Sequence, residues 1–525
     1  MKQGTRKSGW IAAAVGLLVA AGLILRLLML REPAWGDEMS TLWIIRGNDF
    51  FGVISAVDSD AEISPPFFFL LAKAASWIFG QTPTGVRLPS LVAGVLTVPA
   101  FYFAGVRALG RRAGLYAAAI ASVAPFLVYF SANARAYSVM ILMLVLATWS
   151  LLAATSGEGR SWQWAGWSLA GALAVLSHYT AAFLLAGQLL WVLWFFPAFR
   201  IRSLVFTGLM FLLFVPWLGG FQSDLNSPTS DILQAIQGSG FEVKWNAVKD
   251  LLFLRVSADK PGLLARPDML LMLAGVLVSA VAAGARLAGR RPGWPAPARV
   301  RGASLAALMV LAVFAGELLL LAAGTDIFGA RNLAPAWAGL PLLAAAGLAA
   351  AGPRWGTVSL ALVLAGMLTG TVQLLDPART SIPYEKAAGA IESARDQGVV
   401  LDASIISPAP LSPLDGYLDR TLPEYRMTNL EDRPDFIKDI YREYDPQQIA
   451  AQAFDTPGPV HLVTIGDRRA PRQHGRGIYT FMVGSEEVPV PRGWREVRSV
   501  RFEGLEPLTV STFVAVPADR KYSDE

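Results

Sequence analysis

Two adjacent carboxylates, Asp37 and Glu38, follow the first hydrophobic segment, in Arg31-Glu32-Pro33-Ala34-Trp35-Gly36-Asp37-Glu38. Acids at the mouth of a membrane helix do nothing for anchoring. They suit chemistry at the membrane surface, on a substrate that is partly lipid. One can serve as general base while its neighbour orients the acceptor or helps to hold a cation. The plainer account is a solvated loop in which the acids have no role. Asp58, Asp60 and Glu62 lie on the same loop, just before Ser64-Pro65-Pro66. With Asp37 and Glu38 they would line a vestibule, and hard divalent cations favour such oxygen ligands. Carboxylates alone assign no metal.

Arginines are the second set. Arg135 and Arg331 fall at expected helix ends, and Arg87 opens a span. An arginine at membrane depth costs about 2.5–3.5 kcal/mol on insertion scales. A guanidinium fork matches a phosphate and stays charged when partly desolvated. Arg135 and Arg331 are therefore expected to hold a phosphate. For Arg87, snorkelling to the interface is an equal account. Arg26, inside the first helix, either pairs with a carboxylate or snorkels. His178 is one of three histidines and falls at a helix end near the level of the acids. A structural role and a hydrogen bond to substrate both fit it. Tyr137 and Tyr179 fit the same cavity or an interfacial aromatic belt. Trp35 fits a sugar-stacking platform or a headgroup anchor.

The elements that must position these residues are hydrophobic helices. The 525 residues are 54% hydrophobic and 16% charged, with a mean hydropathy of +0.44. Soluble domains are closer to a quarter charged, so the chain reads as a polytopic membrane protein. The net charge of +5 does not point to nucleic acid, because the basic residues lie between apolar segments and mark topology. Cysteine is absent, which excludes disulfides, thiolate metal sites and cysteine nucleophiles.

Apolar segments near 9–30, 86–106, 113–130, 137–154, 163–179, 181–197, 203–219, 269–286, 303–323, 334–350 and 355–375 predict about eleven transmembrane helices. The first begins after Lys2, Arg6 and Lys7 and has no clear cleavage site, so it reads as retained. Phe67–Phe79 is short for a span and reads as an in-plane or re-entrant helix in the first outer loop. Loop arginines, among them Arg107, Arg111, Arg200, Arg290 and Arg354, then fall on the inner side. Asp37, Glu38, Arg135, His178, Asp326 and Arg331 fall on the outer side. A spanning Phe67–Phe79 would invert everything after it.

Residues 376–525 are richer in proline and charge and hold no spanning segment. Tyr384–Arg395 has helical periodicity, and Val399–Ile406, Val460–Ile465 and Ser511–Val516 read as short strands. The expected organisation is a membrane domain, 1–375, whose first outer loop (31–66) carries the acidic motif. A small α/β extracytoplasmic domain, 376–525, follows it. The tail carries no Gly-rich phosphate motif and no HExxH.

Five elements in order give a resemblance: Trp35-Gly36-Asp37-Glu38, Pro65-Pro66-Phe67-Phe68-Phe69-Leu70-Leu71, Val86-Arg87-Leu88-Pro89-Ser90, Ser131-Ala132-Asn133-Ala134-Arg135-Ala136-Tyr137-Ser138 and Arg331-Asn332-Leu333-Ala334-Pro335. Over roughly 1–375 the chain resembles the GT-C membrane glycosyltransferases. Its nearest branch is that of the dolichyl-phosphate-mannose protein mannosyltransferases and their bacterial relatives, including the lipid A aminoarabinose transferases. The resemblance implies a polyprenyl-phosphate sugar donor, an outer-face active site and inversion at the anomeric carbon. Asp37 matches the family's essential loop aspartate, and Arg135 and Arg331 fall where relatives have arginines near the lipid phosphate. Ser64 stands where many relatives have a histidine before the Pro-Pro pair, which puts a donor or metal contact at that position in doubt.

The rivals are an oligosaccharide ligase or polymerase, a flippase or transporter for lipid-linked sugars, and a non-catalytic scaffold. A flippase would need polar groups through the membrane core, where the central helices carry mostly Ala, Leu, Val and Gly.

Overall fold

In the computed structural model of the chain, the described residues are 2–31, 34, 37–58, 62–157, 159–227, 240–254, 266–289, 297–376, 380–396, 398–404, 413–418, 424–426, 446–465 and 488–516. Trp35 and Asp60 lie outside them. The N-terminal half begins with helices α1 (Lys2–Met29), α2 (Asp37–Ile45), α3 (Phe50–Val57) and α4 (Phe67–Phe79). It continues with α5 (Pro83–Leu109), α6 (Arg111–Val123), α7 (Pro125–Ser131) and α8 (Tyr137–Thr155).

Among the described residues, seven helices are long and apolar enough to cross a membrane: Gly9–Met29, Pro83–Leu109, Tyr137–Thr155, Pro197–Leu225, Pro267–Ala288, Pro297–Ala322 and Pro353–Gln373. The pair α6 and α7 makes an eighth if counted as one bent span. The other three expected spans form shorter helices: Ser161–Val175, Ala181–Phe195, and Leu340–Ala350 after a 3-10 turn at Ala334–Ala338. Each is below the roughly 17 residues that a span needs. Helix α4 has 13 residues and packs against α5.

Small residues set the close helix packing, as they do where there is little hydrophobic drive between helices. A Cβ on Gly105 of α5 would lie 2.7 Å from Gly114 Cα of α6. A Cβ on Gly302 would run into the Ala108 carbonyl oxygen.

Helix α6 stops at Val123 because Ala124 precedes Pro125. The proline ring disfavours helical geometry at the preceding residue, and Ala124 is extended, with φ −61° and ψ 125°. Helices α6 and α7 meet at 56°. The break leaves helix-end carbonyls without donors, and Arg26 from α1 supplies them. Its Nη2 donates to Ala121 O at 3.2 Å, its Nη1 to Ser122 O at 3.2 Å, and its Nε to Ser131 Oγ at 3.0 Å. Arg26 thus neither pairs with a carboxylate nor snorkels. It ties the first helix to a broken one, and a positive charge at a helix C-terminus is favourable.

Arg107 lies over the Trp149 ring at 5.1 Å, and Arg301 over Phe196 at 5.4 Å.

Among the described residues, the C-terminal region forms a five-stranded mixed sheet: β1 (Val399–Asp402), β2 (Glu424–Arg426), β3 (Val460–Ile465), β4 (Trp494–Phe502) and β5 (Leu508–Ala515), in the order β2-β1-β3-β5-β4. β1 is parallel to β2 and β3, while β5 is antiparallel to β3 and β4. Side chains alternate between two small cores. Val400, Val463 and Val510 meet the helix Tyr384–Ser393 on one face. Leu401, Leu462 and Phe513 meet the helix Pro446–Phe454 on the other. β3 has the expected bounds. β1 stops at Asp402, short of the expected Ile406, whose neighbourhood (405–412) is outside the described residues. β5 starts before the expected Ser511. β4 was not foreseen: it is an edge strand, Trp-Arg-Glu-Val-Arg-Ser-Val-Arg-Phe, and its charges guard the edge while masking the apolar alternation.

Candidate active site

Helix α2 begins at Asp37, which puts both acids in its first turn, where carboxylates complement the helix dipole. Adjacent residues on a helix diverge by about 100°, and the pair splits accordingly. Glu38 turns inward and is 5% exposed. Arg87 of α5 donates to it through Nε at 2.7 Å and Nη2 at 2.6 Å, and the Ala134 backbone N–H donates at 2.7 Å. Thr41 Oγ1 donates to Ala134 O at 2.8 Å, and Ser90 Oγ to Arg135 O at 3.0 Å. Helices α2 and α5 together therefore hold the turn between α7 and α8, and this turn presents Arg135.

Arg135 points back to the first loop. It forks onto Glu62, with Nη1 at 2.6 Å and Nη2 at 3.2 Å, and Nη1 also reaches Asp37 O at 3.4 Å. Asp37 turns outward, and its Oδ2 accepts a hydrogen bond from Arg331 Nη1. The side chains of Arg331 and Asp37 keep 31% and 36% exposure, so this ion pair is more open than the Glu38–Arg87 and Glu62–Arg135 pairs. Burial pushes the Asp37 carboxyl up. The Arg331 and Arg135 guanidinium groups outweigh it and hold the group below the usual carboxylate range. Asp37 is ionised at neutral pH, the state a general base requires.

Arg331 comes from the segment after the helix Pro297–Ala322. Two contacts secure that segment to the helix Phe241–Phe253. Lys244 Nζ donates to Asp326 Oδ1, and Trp337 Nε1 donates to Leu251 O at 3.0 Å. Asp326 Oδ1 also accepts from the Phe328 N–H at 3.3 Å.

Tyr137 and His178 complete the cluster. The Tyr137 ring lies 5.5 Å from the imidazole of His178 and 4.6 Å from Phe130. His178 Nδ1 shares a hydrogen bond with Thr180 Oγ1 at 2.9 Å. Burial first, and then the Arg135 charge, lower the His178 pKa from 6.5 to about 4. His178 is thus neutral at pH 7. The unfolded chain takes up this proton near pH 6.5 and the folded protein near pH 4, so stability falls as pH drops through that window. The melting temperature should fall between pH 7 and pH 5, and by less in His178→Asn. An equal fall in both proteins would contradict this.

Two expectations change with the geometry. Glu38 and Arg87 meet each other as a buried pair, so Arg87 does not present an open fork to a phosphate and Glu38 does not present an open carboxylate to an acceptor. Glu62 is likewise spent on Arg135. Asp60, one of the acids of the expected vestibule, lies outside the described residues, and among the described residues no group of three or more His, Asp or Glu side chains is placed to hold a metal ion.

Asp224 was missed. It accepts a hydrogen bond from the Tyr179 hydroxyl, which itself accepts from Trp217 Nε1 at 2.8 Å. The available signal was a lone acid closing an apolar span, Leu218–Leu225, and no motif surrounds it.

Residues 64–219 match the family model described as dolichyl-phosphate-mannose-protein mannosyltransferase. A comparison with curated proteins gives no match. The chain is similar to ArnT from Cupriavidus metallidurans in the apo state, with a TM-score of 0.57 and 15% identity over 87% of this chain and 93% of that one. It is similar to the same protein bound to undecaprenyl phosphate, with a TM-score of 0.57 and 15% identity over 96% and 98% of the two chains. At such identity the likeness speaks for the fold. The family match covers residues 64–219, beginning just before α4, and the fold is similar to that of ArnT over most of the chain.

Proposed function

We propose that this protein transfers a sugar from a polyprenyl-phosphate donor to an acceptor hydroxyl, with inversion, at the outer face of a bacterial inner membrane. Residues 1–375 form the catalytic membrane domain in this reading, with the N-terminus cytoplasmic. Residues 376–525 form the extracytoplasmic domain. One observation carries it: an open carboxylate, Asp37, and the cation that a phosphate would seek, Arg331, share one partly exposed site, with Arg135 alongside. The undecaprenyl phosphate in the similar ArnT structure supports a lipid phosphate as the group that Arg331 and Arg135 meet.

The chemistry follows from charge. The bond between the anomeric carbon and the phosphate oxygen breaks, and negative charge grows on the departing lipid phosphate. Fixed guanidinium groups stabilise that charge more in the transition state than in the ground state. The acceptor oxygen attacks from the opposite face, and Asp37 takes its proton. As a phosphate claims Arg331, Asp37 loses its strongest counter-charge and becomes the better base. Tyr137 and His178 supply neutral polar groups to the substrate, and Glu38 and Arg87 fix the loop.

The test uses purified protein in lipid, radiolabelled polyprenyl-phosphate sugars and a membrane extract as the source of acceptor. Label should pass from one donor into a product. Arg331→Ala should raise the donor KM and lower kcat, by about 10²-fold together, as for loss of one charge-stabilising donor. Folded protein that moves no label from any monosaccharide donor would overturn the reading.

A further inference from the structure

Among the described residues, the C-terminal region meets the catalytic loop at the turn that carries Tyr417. Leu414 is buried, and the short 3-10 helix Pro413–Gly416 ends with the Tyr417 N–H donating to Leu414 O at 2.8 Å. This turn lies against α2: a Cβ on Gly416 would be 3.0 Å from Met39 Cε. The Tyr417 ring packs against the core of the membrane helices and also against the core of the sheet. Its hydroxyl accepts from the Ala34 backbone N–H and donates to the Ala34 carbonyl at 3.1 Å. Both backbone groups of a residue three positions before Asp37 are thus satisfied by one phenol.

We infer that Tyr417 is a positioning residue, through which the C-terminal domain holds the loop carrying Asp37 in register for proton transfer. This inference rests on the proposed sugar transfer. Glu38, locked by Arg87, fixes the loop from the helix side. Ala34 is the matching point on the side of α1, and a side chain from the other end of the sequence fixes it. Burial pushes the Tyr417 hydroxyl up, against the pull of Arg87, so it stays protonated and remains a donor. A misplacement of about 1 Å costs roughly 10²-fold in rate, so a loop that loses its anchor at Ala34 loses rate without losing donor binding.

Tyr417→Phe keeps the ring in both cores and removes only the hydroxyl. The experiment measures kcat, donor KM, melting temperature and hydrogen exchange of the Ala34 amide, in full-length protein in lipid. The expected result is faster Ala34 exchange and a kcat lowered about tenfold, part of the loss that misplacement brings. Donor KM and melting temperature should be unchanged. Unchanged Ala34 exchange would overturn the inference, and so would faster exchange with wild-type kcat. Wild type that transfers nothing, while Ala34 exchange still responds to Tyr417→Phe, would uphold the contact and remove the transferase reading.

Discussion

Asp37→Asn should lower kcat by about 10²–10⁴-fold, the contribution of a positioned general base, while donor binding and melting temperature stay near wild type. The substitution keeps the side-chain shape and an acceptor for Arg331. Only the negative charge and the basicity go. Steady-state kinetics with the labelled donor read the first effect, and binding of polyprenyl phosphate reads the second. Near-normal turnover would remove Asp37 from the mechanism. The pH profile of the wild type adds a second reading. Arg331 and Arg135 hold Asp37 ionised to unusually low pH, so kcat/KM should show no Asp37 limb between pH 7 and about 5, above the ordinary carboxylate value. Removing Arg331 takes away a lowering influence, so an acid limb should move upward in Arg331→Ala.

The largest stability effect should come from breaking the Glu38–Arg87 pair. Both side chains are almost fully buried, at 6% and 3% exposure. Loss of one partner strands the other charge, and such losses run to about 3–5 kcal/mol. That is a large part of the roughly 5–15 kcal/mol that holds a folded domain. Arg87→Ala and Glu38→Ala should therefore melt far below wild type in detergent, or fail to accumulate. The double variant Glu38→Leu/Arg87→Met should recover part of the loss, because apolar replacement of both partners strands no charge. Recovery stays partial because the Ala134 N–H loses its acceptor. Melting curves of the two single variants and the double variant decide it. Single variants that melt with the wild type would show that the pair is not needed.

These effects separate two adjacent residues that look alike in sequence. In the proposed reaction Asp37 acts in the chemistry and Glu38 in the architecture, because the roughly 100° step between adjacent helical residues sends one outward and the other into the protein.

The acids, the arginines, the apolar helices and the α/β character of the tail are all written in local composition and period. Hydropathy marked the helices because lipid and protein interior both reject charge. A short apolar run bounded by Pro459 and Gly466-Asp467 marked β3. What composition alone could not state was partnership. Arg87 meets Glu38 from 49 residues away, Arg135 meets Glu62 from 73, and Arg331 meets Asp37 from 294. Before folding, every one of these arginines is an equal candidate for a phosphate. Only the tertiary structure decides which of them already has a buried carboxylate and which keeps an open one. Arg26 shows the same limit. Its partners include two backbone carbonyls beside a proline 99 positions later, a fact of the break and not of any motif. Local pattern sets which groups exist and which segments are helical. The packing of distant segments sets which charge is neutralised and which is left to act, because an ion pair depends on distance in space and not on distance along the chain.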